Sequence, residues 1–157
     1  MLKVGEKVFV PKYGAGVVKS IDKRCMSDKE YEYICVYFYG LDMDFFIPTE
    51  RIDNYNIRYV SDIQTIENIL EKLKFEPKDI SDDWNRRYRK NQRKLNSGNV
   101  LSMCEALQEL YYFKKNDIMP PGEEKILEDA ESMLASEVMA VLDVDMVEAY
   151  RIIKCID

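Results

Sequence analysis

The feature that most constrains this chain is a change of hydrophobic period near residue 61. Upstream of it, Lys3 to Val10, Gly16 to Lys23, Tyr31 to Tyr39 and Met43 to Ile47 are runs of β-branched and aromatic residues, with Tyr55 to Val60 as a fifth candidate. Gly14 and Gly16, Ser27-Asp28 and Gly40-Leu41-Asp42 punctuate them, and these residue types supply the positive φ and local side-chain hydrogen bonds that tight turns require. Short strands at this spacing, too few for a sandwich, predict a small Tudor/SH3-like β-barrel. A barrel of so few strands rarely closes, so an edge strand is expected to stay open to extension by a partner strand.

Downstream, the period is 3.6. Ser61 and Gln64 read as a capping-box pair, and Ile66, Ile69, Leu70 and Leu73 share one helix face before Pro77 stops it. A second helix is expected from Ser81 as N-cap, with Asp82 and Asp83 in the first turn, to a C-cap at Ser97-Gly98. Asn99 opens a third, striped by Val100, Met103, Cys104, Leu107, Leu110 and Tyr111. Pro120 and Pro121 precede a fourth, with Ile126, Leu127, Ala130, Met133, Leu134, Val138 and Val141 inward and its acids outward, and a last helix runs from about Asp143 to Lys154. The expected fold class is α+β: a β-barrel domain over 1–60, followed by an all-α domain over 61–157.

Composition narrows the chemistry. The chain has no histidine, so nucleophile activation by imidazole and most proton shuttling near neutral pH are excluded. The 29 acidic residues fall in no phosphate-loop, nucleophile-elbow or EF-hand pattern, and an enzyme is not expected. Cys25, Cys35, Cys104 and Cys155 are scattered without a C-x-x-C. They suggest neither a zinc site nor a disulfide framework and read as buried small hydrophobes. The longest apolar run, Ile34 to Tyr39, is far shorter than the ~20 residues a membrane helix needs, and the start MLKVGEKV has no signal-peptide apolar region. A cytoplasmic protein with no cofactor, metal or small-molecule substrate is expected.

The net charge of −6 argues against a nucleic-acid binder, but its distribution reverses that inference. Trp84 to Leu95 (WNRRYRKNQRKL) holds six basic residues and no acid, whereas Glu123 to Glu148 holds nine acids and one lysine. A local cationic face on an acidic protein suits a site-specific polyanion contact, because only that face gains from counterion release. With Trp84 at zero on a helical wheel, Tyr88 lies near 40° and Leu95 near 20°, while Arg86, Arg87, Arg89, Lys90, Arg93 and Lys94 span roughly 140° to 300°. The cations read either as phosphate contacts or as a solvated surface. Trp84 also reads two ways. Its alignment with Tyr88 and Leu95 suits a core residue, yet a first-turn side chain can project past the bundle, where an apolar wedge beside cations unstacks a base step.

The opening KVGEKVFVPKYGAGVVKSID resembles the N-terminal module shared by the CarD family and transcription-repair coupling factors. DFFIP, ending at Pro48, resembles the end of that module's fourth strand, and DDWNRRYRKNQRKLNSGNV resembles the most diagnostic CarD segment. The resemblance implies a bacterial regulator of transcription initiation that modulates open-complex stability. Its N-terminal module would dock on the RNA polymerase β subunit by strand addition, through Arg24, Phe45, Phe46, Ile47 and Pro48. Its helical domain would touch promoter DNA at the upstream fork of the bubble without reading sequence. Trp84 would be the minor-groove wedge, with Arg86, Arg87, Arg89, Lys90, Arg93 and Lys94 on the backbone. Phe46 departs from the family pattern, standing where a basic residue is usual, and the acidic Glu123 to Glu148 region is a second departure. The other reading is a polymerase-tethered adaptor whose basic helix binds an acidic protein.

Overall fold

Ser27 and Asp28 both adopt positive φ, 51° and 64°, the backbone of a two-residue hairpin turn that matches strand twist. In the computed structural model, which describes residues 1–154, they join two long strands, β2 (Gly14–Met26) and β3 (Lys29–Phe38), with Met26 opposite Lys29. This hairpin is longer than the sequence suggests at both sides of its turn, so Arg24 lies within β2 rather than in the turn after it. With β1 (Lys7–Val10), β4 (Met43–Pro48) and β5 (Arg58–Tyr59) it forms one antiparallel sheet in the order β4-β3-β2-β1-β5. The sheet does not close, and β4 and β5 are its edges. A 3-10 turn over Thr49–Tyr55 links β4 to β5.

Strand alternation then builds two cores. Val8, Val10, Val18, Ile34, Val36, Phe38 and Ile47 pack inside the curl of the sheet. Phe9 and Ala15 point the other way, into the core of the helical half. That half comprises α1 (Ile63–Lys72), α2 (Trp84–Asn96), α3 (Val100–Lys115), α4 (Glu123–Leu142) and α5 (Met146–Lys154). The expected fold class, α+β with a Tudor-like sheet domain followed by helices, is the one observed. The helical stripes are also as read: Ile66, Met103, Leu107, Leu110, Ile126, Leu127, Leu134 and Val138 are fully buried. None of the described helices is long and apolar enough to cross a membrane.

The sheet sits directly on α4. Gly14, at φ 92°, brings the backbone so close that a Cβ there would lie 2.7 Å from the Ser136 hydroxyl, and that hydroxyl accepts the Ala15 N–H at 2.8 Å. Lys7 reaches the Ala140 carbonyl at 2.8 Å. The strongest tie runs through Glu137, which is fully buried. Its carboxylate receives a bidentate pair from Arg58 at 2.7 and 2.8 Å, together with the Ser61 N–H and hydroxyl, each at 2.8 Å.

Ser61 therefore does not cap α1. Asp62 does, accepting the Thr65 N–H at 2.7 Å, a bond that holds the Asp62 carboxyl below its ordinary value. The α4 acids are a second correction, since Glu123, Glu131 and Glu137 face inward while Glu124 and Glu128 face solvent. Each inward one has a partner: Arg87 for Glu123, the Tyr111 hydroxyl for Glu131, and Arg58 for Glu137.

The cysteines divide. Cys35 and Cys104 are buried, Cys25 is exposed near the hairpin tip, contrary to the expectation, and Cys155 lies outside the described residues. Burial pushes the Cys104 thiol up to about 12 and raises Cys35 as well. Because the thiolate is the nucleophile, Cys25 should be alkylated by iodoacetamide in the native protein at least about 100-fold faster than Cys35 or Cys104. Peptide mapping after timed labelling checks this, and equal rates would contradict the buried positions of the slower two.

Candidate nucleic-acid and protein interfaces

Asp83, not Ser81, is the N-cap of α2, its carboxylate accepting the N–H groups of Asn85 at 3.0 Å and Arg86 at 3.3 Å. The cap makes Trp84 the first helical residue, and its side chain is 53% exposed, the opposite of a core position. The buried face of α2 runs through Arg87, Asn91 and Leu95. It is centred nearer Asn91, at about 340° on the wheel, than the aromatic edge would suggest, and it begins a full turn below Trp84.

That rotation divides the basic residues. Arg87 is 2% exposed, so its place among the phosphate contacts is corrected. Its guanidinium pairs with Glu123, with Nη2 2.6 Å from Oε1, gives Nη1 to the Ser81 carbonyl at 2.7 Å, and lies over the Phe113 ring with Cζ 3.9 Å from the centroid. Lys90 and Lys94 are half-buried and tied to acids of α3, Lys90 to Glu109 at 3.0 Å and Lys94 to Glu105 at 3.5 Å. Arg86, Arg89 and Arg93 are exposed. No ion pair holds any of these three among the described residues, and the spacing i, i+3, i+7 sets them in one stripe. The acids facing α2 thus neutralise its inner flank and leave its outer flank cationic.

Sequence reasoning missed Glu109 and Glu123 as partners of this helix. The signal was present: Glu123 stands three and four residues before Ile126 and Leu127, on the apolar stripe, where an acid is expected only if a cation meets it.

In the sheet, β4 pairs only with β3 and leaves its outer backbone edge free. Along it the side chains alternate. Phe46 is 49% exposed, while Ile47 is buried and Phe45 packs edge-on against Tyr13 and Phe38, at 4.9 and 5.2 Å between ring centroids. The side chains of Phe45 and Ile47 therefore belong to the sheet's own core and are corrected as partner contacts, although their backbone stays on the free edge. Pro48 is half-buried at the strand's end. Arg24, exposed on β2, lies over Phe46 with Cζ 5.1 Å from the ring centroid, so the aromatic and the cation present one surface.

Comparison with known proteins accords with both halves. The family described as "CarD-like/TRCF RID domain" matches residues 2–61, and the one described as "CarD, C-terminal domain" matches residues 68–154. The chain is 27% identical over 141 residues to the Bacillus subtilis (strain 168) protein named "Putative transcription factor YdeB", covering 90% of this chain and 92% of that one. With matches over both the open sheet and the helical half that carries the Trp84 helix, the chain belongs to the CarD family of transcription regulators.

Proposed function

We propose that the protein binds the RNA polymerase β subunit and upstream-fork promoter DNA at once, and so shifts the stability of the open complex during initiation. The observation that carries the reading is an exposed tryptophan at the head of α2 beside a stripe of three exposed arginines that no ion pair holds among the described residues. An apolar wedge flanked by cations is the arrangement with which minor-groove proteins hold an unstacked base step. In this reading residues 1–60 supply the polymerase contact and residues 61–157 the DNA contact, in cytoplasm and without a cofactor. The match to the "CarD-like/TRCF RID domain" description supports the first assignment. Trp84 is the wedge, Arg86, Arg89 and Arg93 touch phosphates, and Lys90 and Lys94 add a weaker field from their paired positions. The free edge of β4 with Phe46, Pro48 and Arg24 meets the β subunit.

Two expected results follow. Three phosphate contacts should make log K for forked DNA fall against log salt with a slope of about −3, nearly independent of sequence, and Arg86→Gln, Arg89→Gln and Arg93→Gln together should flatten it toward zero. Fluorescence titrations at several salt concentrations measure this. An unchanged slope would make the stripe ordinary solvated surface. On the polymerase side, Arg24→Glu and Phe46→Glu should each weaken binding of the full-length chain to the β subunit, by roughly 10-fold for an interface position of this kind. The full chain is needed, because Phe9 and Ala15 would lose their packing in an isolated sheet domain. Unaltered binding of both variants would remove β4 from the interface.

A further inference from the structure

Trp84 is 53% exposed and has no stacking or cation–π partner among the described residues. What precedes it is fixed. The Ser81 N–H donates to Glu109 Oε2 at 3.2 Å, and the Ser81 carbonyl accepts from Arg87 Nη1 at 2.7 Å. Both holders are themselves held. Arg87 Nε reaches Glu123 at 2.9 Å under the Phe113 ring, and Glu109 also takes Lys90 at 3.0 Å and the Asn91 amide at 3.2 Å. Arg87, Glu109 and Glu123 are all at most 2% exposed. The peptide three residues before Trp84 is thus gripped from both sides by charged groups anchored on three different helices.

We infer that Arg87, with Glu109 and Glu123, is a positioning device for Trp84: it fixes the entry into α2 so that the indole stands ready against an unstacked base. This rests on the wedge reading of Trp84 given above. A wedge must be ordered before contact to act efficiently, because ordering it during binding subtracts from affinity. A basic residue inside the diagnostic segment then serves the DNA contact without touching DNA. A merely structural pair would be indifferent to Trp84, and a phosphate contact would show in the salt dependence.

The chain has one tryptophan, so fluorescence excited at the red edge of the indole band, beyond tyrosine absorption, reports Trp84 alone. The test is the double variant Arg87→Met with Glu123→Met, in the full-length protein. Replacing a buried ion pair by apolar residues is often neutral or stabilising, and the variant keeps the Arg86, Arg89 and Arg93 stripe. The expected result is a melting temperature near that of the wild type, lower Trp84 anisotropy and easier acrylamide quenching, about 10-fold loss of preference for forked over fully paired DNA, and an unchanged salt slope. Wild-type anisotropy and fork preference in the well-folded variant would overturn the inference, and so would a slope reduced by about one, which marks a lost phosphate contact. If the double variant does not fold, Arg87→Lys replaces it. That change keeps the charge but loses the fork that spans Glu123 and Ser81 together, and the same readings decide. If wild-type and Trp84→Ala proteins bind forked and paired DNA alike, the DNA reading fails, and the anisotropy still decides whether the clamp orders Trp84.

Discussion

Trp84→Ala should leave the protein folded, with a cost below about 1 kcal/mol, while lowering the open-complex equilibrium about 5- to 150-fold. The two effects separate because of where the side chain sits. A core tryptophan would lose about 3 to 5 kcal/mol on truncation, but Trp84 is 53% exposed at the first turn of α2, where surface changes rarely exceed about 0.5 kcal/mol. Its cap survives the substitution, since Asp83 bonds to backbone N–H groups and not to the indole. The functional loss follows from stacking on a single exposed base, about 1 to 3 kcal/mol by alanine substitution, which converts to that range of equilibrium constants. Polymerase binding should be unchanged, because β4 and Arg24 lie in the other half of the chain. Thermal melting and open-complex lifetime on the same preparation check both arms. A melting temperature lowered by 10 °C or so would refute the wedge assignment, as would a wild-type open-complex lifetime.

Arg58→Met should be the most destabilising single change at the junction of the two halves. It leaves Glu137 buried as a carboxylate without its cation, and breaking a buried pair from one side costs about 3 to 5 kcal/mol. The Ser61 N–H and hydroxyl still reach Glu137 at 2.8 Å, which puts the expected cost at the lower end. At about 2 to 4 °C per kcal/mol for a chain of this size, the melting temperature should fall by on the order of 10 °C. Arg58 also covers the Phe9 ring, with Cζ 4.3 Å from its centroid, and donates to the Gly98 carbonyl at 2.7 Å. The loss therefore loosens the sheet, the linker and the C-cap of α2 together. Arg58→Met with Glu137→Met should recover most of the stability, because no unpaired charge then remains. Calorimetry on the single and double variants tests this. A single variant that melts like the wild type would mean that water replaces the lost cation at the junction.

The architecture was legible in local pattern because its causes are local. Turn residues at Ser27-Asp28 and Gly98 and the shift from period 2 to period 3.6 near residue 61 each act within a few positions of the chain, and the sheet and helices follow them, although α1 ends at Lys72, ahead of Pro77. The segment around Trp84 was equally readable, and it carried the family resemblance. Tertiary structure alone decided which side of α2 is inside. A helical wheel gives the angles between side chains but not the phase of the buried face, which depends on α3 and α4 packing against it. That phase brought Arg87 within reach of Glu123, 36 residues away, left Trp84 outside, and divided the cations into paired and free. In the same way, Phe45 and Ile47 turned inward because β4 had one face to bury, and three acids of α4 became buried anchors because donors met them, an arginine at Glu123 and at Glu137 and the Tyr111 hydroxyl at Glu131. The sequence by itself determined the elements and their chemistry; pairings between charges distant along the chain belong to packing, because a buried ion is stable only where its partner arrives.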